Sequence, residues 1–375
     1  MPEDVLARAA GDPAWAELAR QLLLAPLPEG PVDTRARIFV PLYAIVKFLE
    51  FPLQAWARFR LGLDEREDED TAAREHELFE TDFRDETLFL RRVLLGARAP
   101  GSALSEVYDH VARERELRGS GPSGAFARAE RSDHLRVLEA WRAELEARGV
   151  ALEGVEVHRF GRRGEASHAD RSHDALVLDV DYTDGDGVTR VVKVELAGTT
   201  LPLGTDRTIS LTLAKRAEPK DIWARADRAQ LRAFVDHAVL AATGASSPGT
   251  HDSLSIIATP EGLVREHTSF EALSRDEASG WLRGMVRDLL SGSHAYFLPC
   301  EAVLVHAAAG TEAPLGPRLA EAQMKLRDSD GPLALRSAYG PVPHPHEYPL
   351  PEEESARDMV ARRFGLLFAK RRALR

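Results

Sequence analysis

The chain has 375 residues, 44% of them hydrophobic and 29% charged, the balance of an ordinary globular protein with room for two or three domains. Its single cysteine, Cys300, excludes an internal disulfide framework and a cysteine-ligated zinc or iron–sulfur centre, and points to a reducing, cytoplasmic setting. The net charge of −11 excludes a surface coated in cations but not a local nucleic-acid groove, because phosphate contacts need clustered cations rather than a positive total.

No apolar run reaches the roughly 18 residues a membrane-spanning helix needs, and Met1–Gly11 carries acids instead of a signal-type apolar run. Residues 1–35 hold a short helical pattern, then an extended linker, Ala25 to Pro31. From Val40 to Leu61 Phe48, Phe51, Ala55 and Phe59 recur at helical spacing. Pro52 lies inside that run and, lacking an amide donor, should kink it or start a second helix. The acidic run Asp64–Asp70 reads as a solvated segment. Helices are expected near Glu75–Leu95, Ala103–Leu117 and Arg128–Arg148, separated by turns at Gly96–Gly101 and Gly119–Gly124.

The period then changes. Ala175–Tyr182 reads as a strand, Asp184–Gly187 as a hairpin turn and Val188–Leu196 as the return strand. Thr208–Lys215 alternates again, with Ile209, Leu211 and Leu213 on one face. A helix near Ala226–Thr243, a short strand Leu254–Thr259 and a helix Ser274–Ser291 follow, the last with a Ser274/Glu277 capping box. This order suggests α+β: a helical region of residues 1–150, an α+β core of residues 151–312, and a proline-containing segment with a final helix over residues 313–375.

Strand, hairpin, strand and helix in this order form the skeleton of a restriction-endonuclease-like core. An active site of that kind places an acid, any residue, then a lysine on one strand. Strand alternation aims acid and lysine the same way, and carboxylates hold Mg²⁺. In Leu211-Thr212-Leu213-Ala214-Lys215, Leu213 takes the acid position and continues an apolar stripe, while Lys215 takes the lysine position. Without carboxylates no hard-cation site forms there. Lys215 reads as an exposed strand-end lysine, with a DNA-backbone contact as the alternative.

A rival active arrangement uses Asp206, Glu218 and Lys220, but Pro219 would interrupt a central strand. His168, His173, Asp174 and Asp179 match no metal template and read as polar residues flanking a strand, and His344 and His346 as a surface segment. No phosphate-binding glycine loop or nucleophile elbow occurs. In the last helix, acids Glu352–Glu354 open and Lys370–Arg372 close the run, which suits the helix dipole. The alternative is that Arg357, Arg362, Arg363, Lys370, Arg371, Arg372 and Arg375 form a phosphate- or partner-binding surface.

Several segments together resemble a known family. Lys47–Leu63, with its Phe48-Leu49, Pro52 and Arg60-Leu61-Gly62, resembles the entry helix of RecC, the gamma subunit of exodeoxyribonuclease V, and the acidic run follows as it does there. Gly119–Phe126, Val194–Gly198, Gln230–His237 with Ala242-Thr243-Gly244, and Ala278–Pro299 are similar to later segments in the same order. The likeness covers most of residues 38–300 and corresponds to the C-terminal part of a longer subunit. It implies an inactivated nuclease-like fold, not an enzyme by itself, that docks on a RecB-like helicase–nuclease, with a RecD-like helicase as a further partner. It also implies DNA-strand guiding in double-strand break repair. No cofactor is expected in this chain; ATP and Mg²⁺ belong to the partner subunits. Chi recognition is not carried over, because the helicase-like domains that scan for it have no counterpart here. The related AddB subunit keeps an active nuclease and an iron–sulfur cysteine set, and Leu213 and the lone Cys300 speak against it. The remaining readings are an active Mg²⁺-dependent nuclease and an interaction protein without DNA contact.

Overall fold

Strand β1 (Arg37–Pro41) leads directly into helix α1 (Leu42–Glu50), whose apolar residues Leu42, Ile45, Phe48 and Leu49 are all buried. The helix stops because Phe51 turns extended, at φ −159° and ψ 101°. Helical backbone resumes at Pro52, which needs no amide partner in a first turn. The expected break at Pro52 is therefore present, and Phe48, Phe51 and Ala55 are buried together. The chain is described here by a computed structural model covering residues 37–53, 55, 81, 83–99, 101–161, 169–183, 187–204, 208–215, 222–245, 249–291, 296–309, 314–327 and 349–372. The linker at residues 25–31, the acidic run at 64–70 and most of the hairpin turn at 184–187 lie outside these residues.

Three helices follow: α2 (Phe83–Gly96), α3 (Leu104–Leu117) and α4 (Gly124–Ala147). Their inward stripes include Leu90, Val93 and Leu94, then Leu104, Tyr108 and Val111, then Leu138, Trp141 and Leu145, the helical spacing read from the sequence. Short strands β2 (Val155–Glu156), β3 (His158–Phe160) and β4 (Arg171–His173) come next, then the hairpin β5 (Leu176–Thr183) and β6 (Thr189–Thr199). The hairpin register runs from Leu176↔Leu196 to Thr183↔Thr189. After β7 (Leu203–Gly204) and β8 (Ile209–Lys215), helix α5 (Ile222–Thr243) crosses over to β9 (His251–Thr259). Strands β8 and β9 pair in parallel, Ile209↔Asp252 through Lys215↔Ala258. Parallel neighbours need such a crossover and are buried on both faces, which is why both read as nearly continuous apolar or small-residue runs. The chain closes with β10 (Gly262–Phe270), α6 (Arg275–Leu290), α7 (Cys300–Ala309), α8 (Leu315–Arg327), α9 (Glu353–Lys370) and β11 (Arg371–Arg372).

The result is a mixed α/β architecture with two sheets, one ordered β1-β6-β3-β4 with β5 also on β6, the other β11-β10-β9-β8-β7-β2. Two apolar cores result, and each draws on residues from both sides of position 150. One joins α1 to α5, α6, α7, α8, α9 and the inner face of the β5–β6 hairpin. The other places α2, α3 and α4 on Ile209, Leu211, Leu213, Leu254, Ile256 and Ala258 of the β8–β9 pair. On the opposite face of that pair, Ser210 of β8 meets Asp236 of α5. Residues 38–375 form one compact unit.

Two local devices hold the outer parts. Strand β5 would present bare carbonyls at its outer edge, and α6 covers them: Arg283 Nε donates to Asp179 O at 3.1 Å and Arg287 Nε to Asp181 O at 2.8 Å. A capped edge does not recruit another strand. Helix α6 itself starts with the expected box, Glu277 N donating to Ser274 Oγ and Ser274 N to Glu277 Oε2.

Candidate functional site

Strand β8 ends with Leu213 and Lys215 pointing to the same side, as period-two alternation requires. Leu213 is buried in the core beneath α2 and α4. Arg91 of α2 donates from Nε to the Leu213 carbonyl at 2.6 Å, tying the strand end to that helix. Lys215 is not the exposed strand-end lysine expected from the sequence. Its Nζ lies 2.6 Å from Glu86 Oε1 of α2 and 2.6 Å from Asp133 Oδ2 of α4, and only 23% of the side chain is exposed.

The cluster continues inward. Glu86 Oε1 also lies 2.7 Å from His134 Nε2, and the other nitrogen, Nδ1, is 2.9 Å from the Tyr108 hydroxyl. With Glu86 ionised, the neutral tautomer that satisfies both contacts donates from Nε2 to Glu86 and accepts the Tyr108 hydroxyl proton at Nδ1. Burial pushes the Glu86 carboxyl up, but hydrogen bonds from His134 and Lys215 outweigh it and hold the group below the usual carboxylate range. Asp133 behaves alike: burial raises it, and Lys215 and Arg136 more than compensate. Burial pulls the Lys215 ammonium down, yet the bonds to Asp133 and Glu86 prevail and raise it. Burial drives the Tyr108 hydroxyl well above its ordinary value.

Chemically this is a matched charge cluster. One ammonium bridges two carboxylates, and the Arg136 guanidinium pairs with Asp133 as the second cation, so the two negative charges meet two positive ones at the strand end. Tyr108 also walls a cavity of about 210 Å³ together with Phe89, Arg115 and Arg131. The guanidinium of Arg115 lies 4.8 Å above the Phe89 ring, and Arg131 is held on Asp109 by bonds of 2.6 and 2.9 Å. Among the described residues, no group of three or more His, Cys, Asp and Glu side chains is placed to hold a metal ion.

Sequence reasoning did not single out Glu86, Asp133, His134 or Tyr108. A signal existed for two of them. Glu86 precedes Phe89 and Leu90 by one helical turn, and His134 precedes Val137 and Leu138 by the same spacing. A polar residue in step with a buried stripe needs a partner, and here the two are each other's.

A second polar cluster lies on the opposite face of β8. Ser210 Oγ is 2.9 Å from His251 Nε2 and 3.2 Å from Asp236 Oδ2, and all three residues are fully buried. The same Asp236 oxygen accepts the Leu201 amide at 2.9 Å, and Arg232 Nε lies 3.4 Å from Asp236 Oδ1. Burial pushes the Asp236 carboxyl up to about 6, against Arg232, the Leu201 amide and Ser210. The residue types are those of a hydrolytic relay, but the carboxylate bonds the serine rather than the far nitrogen of the histidine. His251 Nδ1 has no hydrogen-bond partner among the described residues. The cluster fastens α5 to β8 and β9.

The cations of the last helix are placed one by one. Arg363 is buried, donating from Nε to Asp288 Oδ2 at 2.9 Å and from Nη2 to the Tyr296 hydroxyl at 2.7 Å, with its guanidinium 4.4 Å above the Phe48 ring. Lys370 Nζ pairs with Glu277 at 2.8 Å, and Arg372 with Glu271 at 3.3 Å. Arg362 is 56% exposed with a long 3.4 Å contact to Asp288, and Arg371 is exposed on β11 opposite Phe270. Asp206, Glu218, Lys220, His168, His344, His346 and Arg375 lie outside the described residues. Asp179 pairs with Lys193 at 2.8 Å, while His173 meets His158 instead.

No family model and no curated protein sequence matches the chain.

Proposed function

We propose that this chain is a non-catalytic, RecC-like part of a RecBCD-type helicase–nuclease, scaffolding the complex and guiding DNA strands in double-strand break repair. The observation that carries the reading is the end of β8. Leu213, two positions before Lys215 and so at the place where the sequence pattern puts a nuclease's metal-binding acid, is 2% exposed in an apolar core. Lys215, two positions on, is matched by Glu86 and Asp133. The connectivity supports it as well. An antiparallel hairpin, an antiparallel pairing of β7 with β8 and a helical crossover to a parallel β9 come in the chain order expected of such a core, although the hairpin and the β8–β9 pair belong to different sheets. The ordered segments that resemble RecC supply the partner: a RecB-like helicase–nuclease performs ATP-driven unwinding and Mg²⁺-dependent cleavage, with a RecD-like helicase beside it.

Strand guiding rests on Arg362 and Arg371 rather than on Arg363 or Lys370, whose charges are engaged inside the fold. The test is association of the purified full chain with a RecB-like helicase–nuclease, followed by binding of the complex to duplex ends across a salt series. A stoichiometric complex is expected, with Arg362→Ala and Arg371→Ala each lowering the salt slope by about 1. A folded chain that associates with no such enzyme sinks the subunit assignment. A complex whose DNA binding ignores both substitutions sinks the strand-guiding role.

A further inference from the structure

Strands β3 and β4 run parallel with His158 opposite Arg171 and Phe160 opposite His173. Alternation puts these four side chains on one face, so the two histidines lie diagonally across from each other. Their rings meet: His173 Nε2 is 3.2 Å from His158 Nδ1. His173 is also held from behind, and His158 faces a carboxylate without a hydrogen bond to it. Phe160 stacks on His173 with centroids 5.0 Å apart and planes 20° apart. Glu156 Oε2 stands 3.4 Å from His158 Nε2, a long contact, and Arg171 fixes Glu156 by bonds of 2.5 and 3.1 Å.

We propose that His158 and His173 form a two-nitrogen site for a borderline divalent transition ion of the Zn²⁺, Ni²⁺ and Cu²⁺ class. Zinc–nitrogen bonds of about 2.0–2.1 Å in a tetrahedron set two ligand nitrogens roughly 3.3 Å apart, and the observed 3.2 Å already matches that edge. A carboxylate facing the far nitrogen of a ligating histidine is the usual support of such a ligand, fixing its tautomer and raising its basicity. Glu156 occupies that place at His158, and its charge is balanced by Arg171. His158 is buried and His173 only partly so, which leaves solvent access on one side for water to complete the coordination. Nitrogen donors select against Mg²⁺ and Ca²⁺, which prefer oxygen.

The proton accounting is simple. With His158 protonated at Nε2, toward Glu156, the one imidazole N–H between the rings runs from His173 Nε2 to His158 Nδ1 when no ion is bound. Taking up the ion requires His173 to move that proton to its own Nδ1, so both rings stay neutral and no proton is released. Burial lowers both histidines' affinity for a second proton, with Arg171 adding to the effect at His173. With two protein donors, binding should be weaker than in closed four-ligand zinc sites.

The test is titration of the untagged full chain with Cu²⁺, read by electron paramagnetic resonance. One ion per chain coupled to two imidazole nitrogens is expected. His173→Phe keeps a ring on Phe160 but removes the donor; it should weaken binding by at least about 10-fold and leave one-nitrogen coupling. Glu156→Gln should weaken it by about 10-fold. No stoichiometric binding by the wild type, or unchanged coupling in a folded His173→Phe chain, overturns the site. Ring-nitrogen NMR of the wild type with Zn²⁺ needs no variant. Shifts at His158 and His173 support the site, and shifts confined to other histidines refute it.

Discussion

Strand β8 carries a polar cluster on each face, and the two are built on opposite terms. Toward α2 and α4, Lys215, Glu86 and Asp133 are partly open to water and charged, with Arg136 on Asp133 balancing the second carboxylate. Toward α5, Ser210, Asp236 and His251 are sealed from water, and burial raises the one carboxyl among them. Partly solvated charges lose little when separated, because water takes over part of their stabilisation. A sealed network has no such recourse, so each missing partner costs the full desolvation of what remains. The lysine cluster should therefore locate two helices on the strand end, and the aspartate cluster should hold the sheet to its crossover helix.

The largest expected break is on the sealed side. Asp236→Ala strands the Leu201 amide, leaves Ser210 with His251 alone and removes the carboxylate facing the part-buried Arg232, and should cost about 3–5 kcal/mol in chemical denaturation. Lys215→Met should cost about 1–3 kcal/mol, because Glu86 and Asp133 retain some water and Glu86 keeps His134. If Lys215→Met proved the costlier of the two, the contrast would be wrong. Adding Glu86→Gln to Lys215→Met should recover part of the loss, with a coupling of about 1 kcal/mol measurable by double-mutant cycle and reduced by salt.

Acid titration separates the clusters by sign. Glu86 and Asp133 sit below their ordinary values when folded, so their contribution is present above the unfolded carboxylate range and is lost as pH falls through the folded values. Asp236 sits above its ordinary value, at about 6 against 3.8. The folded chain then binds the extra proton between those values, and this group's share of stability falls as pH rises from about 4 to about 6. Denaturation at a series of pH values should show that slope vanish in Asp236→Asn, while Lys215→Met should flatten only the loss at more acidic pH. The smallest effect is reserved for the exposed edge: Arg371→Ala should change stability by less than about 0.5 kcal/mol.

Much of this fold is legible in the sequence, for identifiable reasons. Helices α3, α4 and α6 and the β5–β6 hairpin carry clean periods, and α6 carries its cap. Strand β8 shows its buried face through Ile209, Leu211 and Leu213. By contrast, β10 was not foreseen: most of its residues are only partly buried, so it lacks a sharp apolar alternation. Strands β3, β4 and β11 are too short to show a period at all. The site was half legible. That Leu213 is apolar and faces inward is a local fact, readable from alternation. The partner of Lys215 is not local, since Glu86 lies 129 positions away on a helix, and only packing brings it there. For Arg363, Lys370 and Arg372 the same holds: sequence gives their charge but not Asp288, Glu277 and Glu271, which packing brings to them.

We propose that the end of β8 is a structural joint and not a nuclease centre. The most direct measurement is Mg²⁺-dependent degradation of linear duplex and single-stranded DNA by the isolated full chain, wild type beside Lys215→Met. No cleavage above background is expected from either chain, with Lys215→Met distinguished only by its lower stability. Cleavage by the wild type that disappears in a folded Lys215→Met chain would contradict it.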